Sequence, residues 1–281
     1  MPQCDTSDAA CVAFLMWALP RLRMRWRGFR KVRGQVSKRV ARRLKSLALP
    51  DVAAYRAYLE ACPEEWAHLD GLCRISISRF YRDRGVWEYL ASEVFQSLAE
   101  RAAAQREAEI RLWSIGCAGG EECYTATTLW RLLLQPRFPD IALRILGTEA
   151  DPDQLTRARV ACYPGASLKE MPVAWRGKGF EERDGRFFLR QEFQAGVELQ
   201  QQDIRRELPD GTFHLVLCRN LAFTYFEENL QREIAIAIHD RLVPGGVLVL
   251  GKQEKLPREA VGFVEVAPHL RIYRKTLPPK N

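Results

Sequence analysis

A glycine turn flanked by carboxylates is the part of this sequence best equipped to hold a ligand. The apolar run Leu112-Trp113-Ser114-Ile115 breaks at Gly116-Cys117-Ala118-Gly119-Gly120 and resumes as Glu121-Glu122. Glycines such as Gly116 let the backbone approach a bound group with no Cβ between them, and a helix starting just afterwards aims its free N–H groups into the same space. That order of elements serves a nucleoside-bearing ligand. The next apolar run ends at Gly147-Thr148-Glu149-Ala150-Asp151, which puts Glu149 at the carboxyl edge of a second strand. A carboxylate there can accept both hydroxyls of a ribose. An acid at a strand end also reads as a helix N-cap, a role that Asp151 fits by standing before Pro152. Asp203, after a third run, reads either as a contact to an adenine or as a surface carboxylate ahead of Ile204.

The charges narrow the ligand. Gly-x-x-Gly-Gly is not the dinucleotide spacing Gly-x-Gly-x-x-Gly, and Glu121-Glu122 at the helix start would repel a pyrophosphate, which argues against NAD. S-adenosylmethionine has no phosphate and carries a sulfonium and an ammonium, so acids at this place attract it. This cofactor is the one the pattern selects. A fourth run ends in Cys218-Arg219-Asn220-Leu221-Ala222-Phe223-Thr224-Tyr225-Phe226, at the tip that faces a transferred methyl. Enzymes that methylate exocyclic base nitrogens carry an Asn/Asp-Pro-Pro-aromatic tip there. This chain has no proline between Pro209 and Pro244, which weighs against nucleobase methylation.

The elements that must position these residues follow a β-α alternation from Ile110 onward. Strands are expected at 111–115, 143–148, 197–201, 213–218, 246–251, 263–267 and 270–275, and helices at 121–134, 152–160 and 227–242. The last two strands have no helix between them and should pair as an antiparallel hairpin. Six parallel strands with one antiparallel make the Rossmann-like α/β sheet of class I methyltransferases. Between Cys162 and Val197 the alternation weakens, and Glu182-Arg183-Asp184-Gly185-Arg186 between apolar flanks suggests a hairpin turn, hence a small β insertion over 162–197.

Residues 1–104 read as an N-terminal helical domain and 105–281 as the cofactor-binding domain. Val36, Val40, Leu44 and Leu47 recur at spacings of three and four, Pro50-Asp51 caps the next helix, and Val52, Tyr55, Tyr58 and Leu59 line that one. Further helices are expected at 64–72 and 85–104. At 281 residues and 47% hydrophobic, the chain can bury one main core and a smaller helical appendage.

Net charge is +8, and from Arg21 to Lys45 there are twelve Lys or Arg and no acid, so the remainder carries a net −4. A basic surface confined to one segment suits an acidic partner, such as a protein helix, a nucleic acid or a lipid headgroup, or is simply a solvated helix face. Trp26 and Phe29 are the only aromatics interleaved there, a weak platform for RNA. Eight cysteines without a Cys-x-x-Cys pair or a histidine cluster argue against zinc and against a disulfide framework, and point to reduced thiols in a cytoplasmic protein. His68, His214, His239 and His269 lie apart and read as structural or surface groups. The apolar run from Ala9 to Leu19 is too short to span a bilayer, and Asp5 and Asp8 precede it in place of a basic leader, so no membrane insertion is expected.

Four ordered motifs together resemble the CheR-type methyltransferases, which methylate glutamate side chains of bacterial chemoreceptors. They are Ser76-Ile77-Ser78-Arg79-Phe80-Tyr81-Arg82, the glycine turn through Cys123-Tyr124, Cys218-Arg219-Asn220-Leu221 with its Tyr225-Phe226 tail, and Leu242-Val243-Pro244-Gly245-Gly246-Val247-Leu248-Val249-Leu250-Gly251. The likeness runs from about Arg25 onward. It implies that the segment with Ser76, Ser78 and Arg82 reaches the cofactor and that Arg82 holds the methionine carboxylate. It further implies Glu121 at the ammonium, Glu149 at the ribose, Asp203 and Ile204 at the adenine, Arg219 and Asn220 beside the sulfonium, and Tyr225 near the acceptor. Ser76 stands where the family has Asn, Cys123 where it has Pro and Glu149 where it has Asp, and no second catalytic arginine can be matched in the early helices.

Methyl transfer from a sulfonium is an in-line displacement, so alignment and desolvation matter more than proton abstraction. A carboxylate acceptor is already ionised at neutral pH and needs no general base. The expected activity is carboxyl O-methylation of glutamate in an acidic protein segment, such as a chemoreceptor-like helical bundle held by the basic segment. Tyr225, with Arg219 or Arg82, would orient the acceptor. The rival readings are a small-molecule O- or N-methyltransferase on the same scaffold and a non-catalytic S-adenosylmethionine-binding adaptor in signalling.

Overall fold

In the computed structural model, which describes residues 8–276, the apolar runs become strands β1 (Glu109–Ile115) and β2 (Ala142–Glu149). Cys4 and Asp5 lie outside the described residues. An insertion supplies β3 (Cys162–Pro164), β4 (Phe180–Arg183) and β5 (Arg186–Leu189). The main sheet continues with β6 (Val197–Gln201), β7 (Phe213–Cys218), β8 (Leu242–Leu250), β9 (Phe263–Ala267) and β10 (Ile272–Lys275).

The seven-stranded order is β6-β2-β1-β7-β8-β10-β9. β1 runs parallel to β2 and β7, β2 to β6, and β7 to β8, whereas β10 is antiparallel to both β8 and β9. The expected hairpin and the expected six-plus-one sheet are both present. Strand order reverses direction between β1 and β7, and ligands of open α/β sheets bind in the crevice outside the strand ends at such a switch point. Every residue of β7 is buried, as a parallel strand covered on both faces requires, which is why its sequence is apolar but for His214.

Helices Glu121–Leu129, Pro152–Val160 and Glu228–Arg241 follow β1, β2 and β7. The first continues into a π-helical turn, Trp130–Leu134. Asp151 accepts the Asp153 N–H at 2.9 Å and caps the second. The insertion forms its own antiparallel sheet, β3-β5-β4, turned between β4 and β5 by Asp184 (φ 49°) and Gly185 (φ 69°), a pair suited to a type I′ hairpin.

The described chain divides after Ile75 and not after residue 104, which corrects the expected boundary. The reason is packing: the helical stretch from Arg84–Tyr89 through the π turn Leu90–Phe95 to Gln96–Gln105 puts Trp87, Leu90, Phe95 and Leu98 into the same core as Ile110 and Leu112 of β1. Ser76–Phe223 and Arg232 onward form the sheet-bearing unit, and Thr224–Gln231 packs with the N-terminal residues.

In that N-terminal unit, helices Asp8–Ala18, Arg33–Ser46, Val52–Ala61 and Glu65–Cys73 bury the expected stripe of Val36, Val40 and Leu44, and Asp51 caps its helix by accepting the Ala54 N–H at 2.8 Å. The basic segment does not all face outward. Arg43 donates to both oxygens of the buried Glu65, at 2.9 and 2.6 Å, and the Tyr55 hydroxyl donates to the same carboxylate at 2.7 Å. Arg39 donates to the carbonyls of Leu72 and Arg74. Glu65→Ala leaves these donors without their acceptor and is expected to lower unfolding stability by about 2–3 kcal/mol, read as a lower urea midpoint. Arg43 holds the Glu65 carboxyl below its ordinary range, so this stabilisation is present at neutral pH and is lost as the pH falls through that depressed value. An unchanged midpoint would contradict the assignment.

Candidate functional site

The turn after β1 is tied to the tip of β2. The N–H groups of Gly116 and Cys117 donate to the Thr148 carbonyl at 2.8 and 3.0 Å, and the Ala118 N–H donates to Glu149 Oε2 at 2.9 Å. Gly116 has φ +67°, a backbone conformation that calls for glycine. Glu149 Oε1 accepts the Asp151 N–H at 3.0 Å. Backbone N–H groups therefore fix the carboxylate, and two oxygens with four acceptor sites keep capacity for ribose hydroxyls.

Glu121, at the helix start, is fully buried and ion-paired with Arg157. Its Oε2 is buried without a hydrogen-bond partner. Burial pushes the Glu121 carboxyl above its ordinary value, with Arg157 and the Ser78 hydroxyl pulling the other way. Burial does the same to Glu149, against the N–H groups of Asp151, Ala118 and Ala150. A buried anionic oxygen without a donor fits an ammonium, and a half-satisfied carboxylate at the neighbouring tip fits a diol. S-adenosylmethionine presents both.

The segment that carries Ser76, Ser78 and Arg82 belongs to the same unit as this turn. The Tyr81 N–H donates to Thr125 Oγ1 at 3.1 Å, the Phe80 N–H to the Ser167 carbonyl at 2.9 Å, and Arg82 Nη1 to the Ile77 carbonyl at 2.8 Å. The Arg82 charge helps hold the buried Glu122 ionised, against a burial that pushes its carboxyl up.

Arg219 is held in a buried network. Its side chain is wholly buried and donates to Glu122 at 2.6 Å, to Asp83 at 2.7 Å and to the Arg82 carbonyl at 3.1 Å, with its guanidinium 5.7 Å from the Trp87 ring centroid. A guanidinium committed in this way orients the 82–83 turn. Asp203 likewise has a partner: Arg205 grips both carboxylate oxygens, at 2.9 and 2.6 Å, and Ile204 is buried between them in sequence. Asn220 adopts φ 57° and donates its N–H to Glu254 Oε2 at 2.7 Å, as does Gly251 from the end of β8. Tyr225 lies in the N-terminal unit, its ring 5.0 Å from that of Phe29.

Sequence reasoning missed Asp83, Arg157 and Glu254 and assigned Glu122 no partner. Each acts across a long span of chain, and nothing local marks it. Among the described residues no group of three or more metal-binding side chains converges, and no helix is long and apolar enough to cross a membrane.

Comparison with known proteins decides the family. The model of the CheR methyltransferase, SAM binding domain, matches residues 76–269, beginning where the sheet-bearing unit begins. The chain belongs to this family. It is accordingly an S-adenosylmethionine-dependent methyltransferase of the CheR type, as the motifs implied. Chemotaxis protein methyltransferase 2 of Vibrio cholerae is 27% identical over 247 residues, covering 86% of this chain and 82% of that protein. An uncharacterized 104.1 kDa protein of Rhodobacter capsulatus is also 27% identical over 247 residues, covering 87% of this chain, which spans about a quarter (25%) of that relative's length. Among solved structures, S-adenosylmethionine-bound CalS10, an amino pentose methyltransferase from Micromonospora echinaspora, shares 26% identity over 60% of this chain and 52% of its own, with a TM-score of 0.32. The strand order is the firmer guide to the fold.

Cofactor affinity measured by calorimetry is expected to weaken on the acid side at a pH above the ordinary carboxylate range, because the raised Glu121 and Glu149 bind a cationic or hydroxyl donor best when ionised. Folding responds with the opposite sign: a carboxyl raised in the folded state binds protons more readily than in the unfolded chain, so stability is gained as binding is lost. Glu149→Ala is expected to weaken cofactor binding by about tenfold or more at neutral pH. Affinity that stays flat down into the ordinary range would contradict the role of these acids.

Proposed function

We propose that this methyltransferase acts on the side-chain carboxylate of glutamate in an acidic protein segment, with a chemoreceptor-like helical bundle as the partner. The observation that carries this reading is the family match over the cofactor-binding unit, together with relatives named as chemotaxis methyltransferases. The buried histidine supports it too. His214 accepts the Arg111 N–H at 3.0 Å and faces Glu107 at 3.2 Å, so it is engaged structurally, and an ionised carboxylate acceptor needs no general base.

Bound S-adenosylmethionine supplies an electrophilic methyl on a sulfonium. In this reading Glu121 accepts from the ammonium, Glu149 from the ribose hydroxyls, and Arg82 pairs with the methionine carboxylate. Ser76, Ser78, Gly116, Asp203, Ile204 and Asn220 complete the lining, Arg219 holds the 82–83 turn that carries Arg82, and Tyr225 orients the acceptor. The protein's work is alignment and exclusion of water.

Arg27, Arg30, Lys31, Lys38, Arg42 and Lys45 are exposed and give the N-terminal unit a positive face for an acidic segment. Turnover is expected to fall steeply with added salt, and salt-insensitive turnover would contradict this docking. We place the protein in the cytoplasm, a reading supported by the free thiols of Cys62, Cys117, Cys123, Cys162 and Cys218.

Incubating methyl-labelled cofactor with host lysate tests the acceptor. The expected result is label on protein that mild base releases as methanol. A base-stable product would mean an ether or amine acceptor, and cofactor binding without any transfer would point to an adaptor; either overturns the proposal.

A further inference from the structure

Tyr225 stands on a stretch of chain that is strapped to the start of the basic segment. The Arg25 N–H donates to the Tyr225 carbonyl at 2.8 Å and the Glu227 N–H to the Arg23 carbonyl at 3.0 Å, which pairs Met24 with Phe226 in an antiparallel bridge. Arg25 Nε donates to the Thr224 carbonyl at 3.2 Å, and Arg23 pairs with Glu227 at 3.0 Å. Arg23 and Arg25, counted from sequence among the docking charges, therefore shape the strap.

Gly28 and Phe29 complete it. Phe29 is fully buried, its ring 5.0 Å from that of Tyr225 and tilted by 58°. A Cβ on Gly28 would strike the Thr224 carbonyl oxygen and come within 3.0 Å of Thr224 C and Tyr225 Cα. These are backbone atoms, which cannot swing aside as a side chain would. Glycine is required here for room, since nothing else lets the short helix Trp26–Phe29 pass so close to the chain at 224–225.

We propose that Gly28 and Phe29 are positioning residues for Tyr225, setting the placement of its backbone and ring for the methyl-transfer reaction. The proposal rests on the reading of Tyr225 as the group that orients the acceptor. A methyl on Gly28 shifts the Thr224-Tyr225 backbone, and misplacement on the order of 1 Å in a site that works by alignment costs up to about a hundredfold in rate. The groups assigned to the cofactor lie in the other unit, so its binding should be spared.

The test uses the full chain with methyl-labelled S-adenosylmethionine and host chemoreceptor-containing membranes as acceptor. Gly28→Ala is expected to lower kcat by about tenfold or more, read well below the variant's own melting temperature, while cofactor Kd stays close to wild type. Phe29→Leu, which keeps the site apolar without the ring, is expected to lower kcat in the same way should Gly28→Ala fold poorly. In a Tyr225→Phe background neither substitution should cost further activity, because residues acting through one group are not additive. An acceptor-free readout accompanies these rates: in protein labelled with 3-fluorotyrosine, the Tyr225 fluorine resonance, assigned by its loss in Tyr225→Phe, should shift in Gly28→Ala or Phe29→Leu. Wild-type kcat in both variants, losses that add fully to that of Tyr225→Phe, a matching loss of cofactor affinity, or an unshifted resonance each overturns the proposal. Full turnover in Tyr225→Phe with a shifted resonance instead places the failure in the reading of Tyr225.

Discussion

Desolvation of carboxylates at the strand tips is the constraint around which this fold is arranged. Glu121 and Glu122 are buried and Glu149 is half-buried close to one glycine turn, and desolvation raises all three carboxyls. A buried charge is tolerated only when fixed donors surround it. Arg157, Arg219 and the backbone N–H groups of Ala118 and Asp151 are those donors, and each comes from a different element. The sheet, its helices and the segment before the first strand are thereby locked to one another through charge as well as through apolar packing.

The neutralisation is uneven, and the unevenness is what makes a binding site. Glu122 is fully answered by Arg219, which in turn grips Asp83 and the Arg82 carbonyl, so this part of the network fixes geometry. Glu121 keeps one oxygen without a donor, and Glu149 has only its backbone partners. Negative charge left unanswered in a low-dielectric crevice attracts a cationic ligand with hydroxyls and repels a pyrophosphate. The folded chain gives up some stability at neutral pH to keep it so.

Much of this was legible in the sequence because it is written locally. The glycine turn, the acids at the helix start, Glu149 at a strand end and the Asp184-Gly185 turn each announce themselves within a few residues. What was hidden depends on partners far apart in sequence. The partners of Arg219 were hidden because nothing near it in sequence shows Glu122 or Asp83, and Arg43 read as a docking charge because Glu65 meets it only after two helices have packed. The boundary after Ile75 was missed for the same reason: the helical stretch 84–105 has helix character like its predecessors, and only its packing against β1 shows where it belongs.

A crystal structure of the protein with S-adenosylhomocysteine tests the role of the buried acids most directly. Glu121 Oε2 should lie within hydrogen-bond distance of the ligand ammonium, and both Glu149 oxygens should accept from the ribose hydroxyls while keeping their backbone donors. A ligand seated with its ribose and ammonium on other groups, and Glu121 Oε2 still without a donor, would contradict the account.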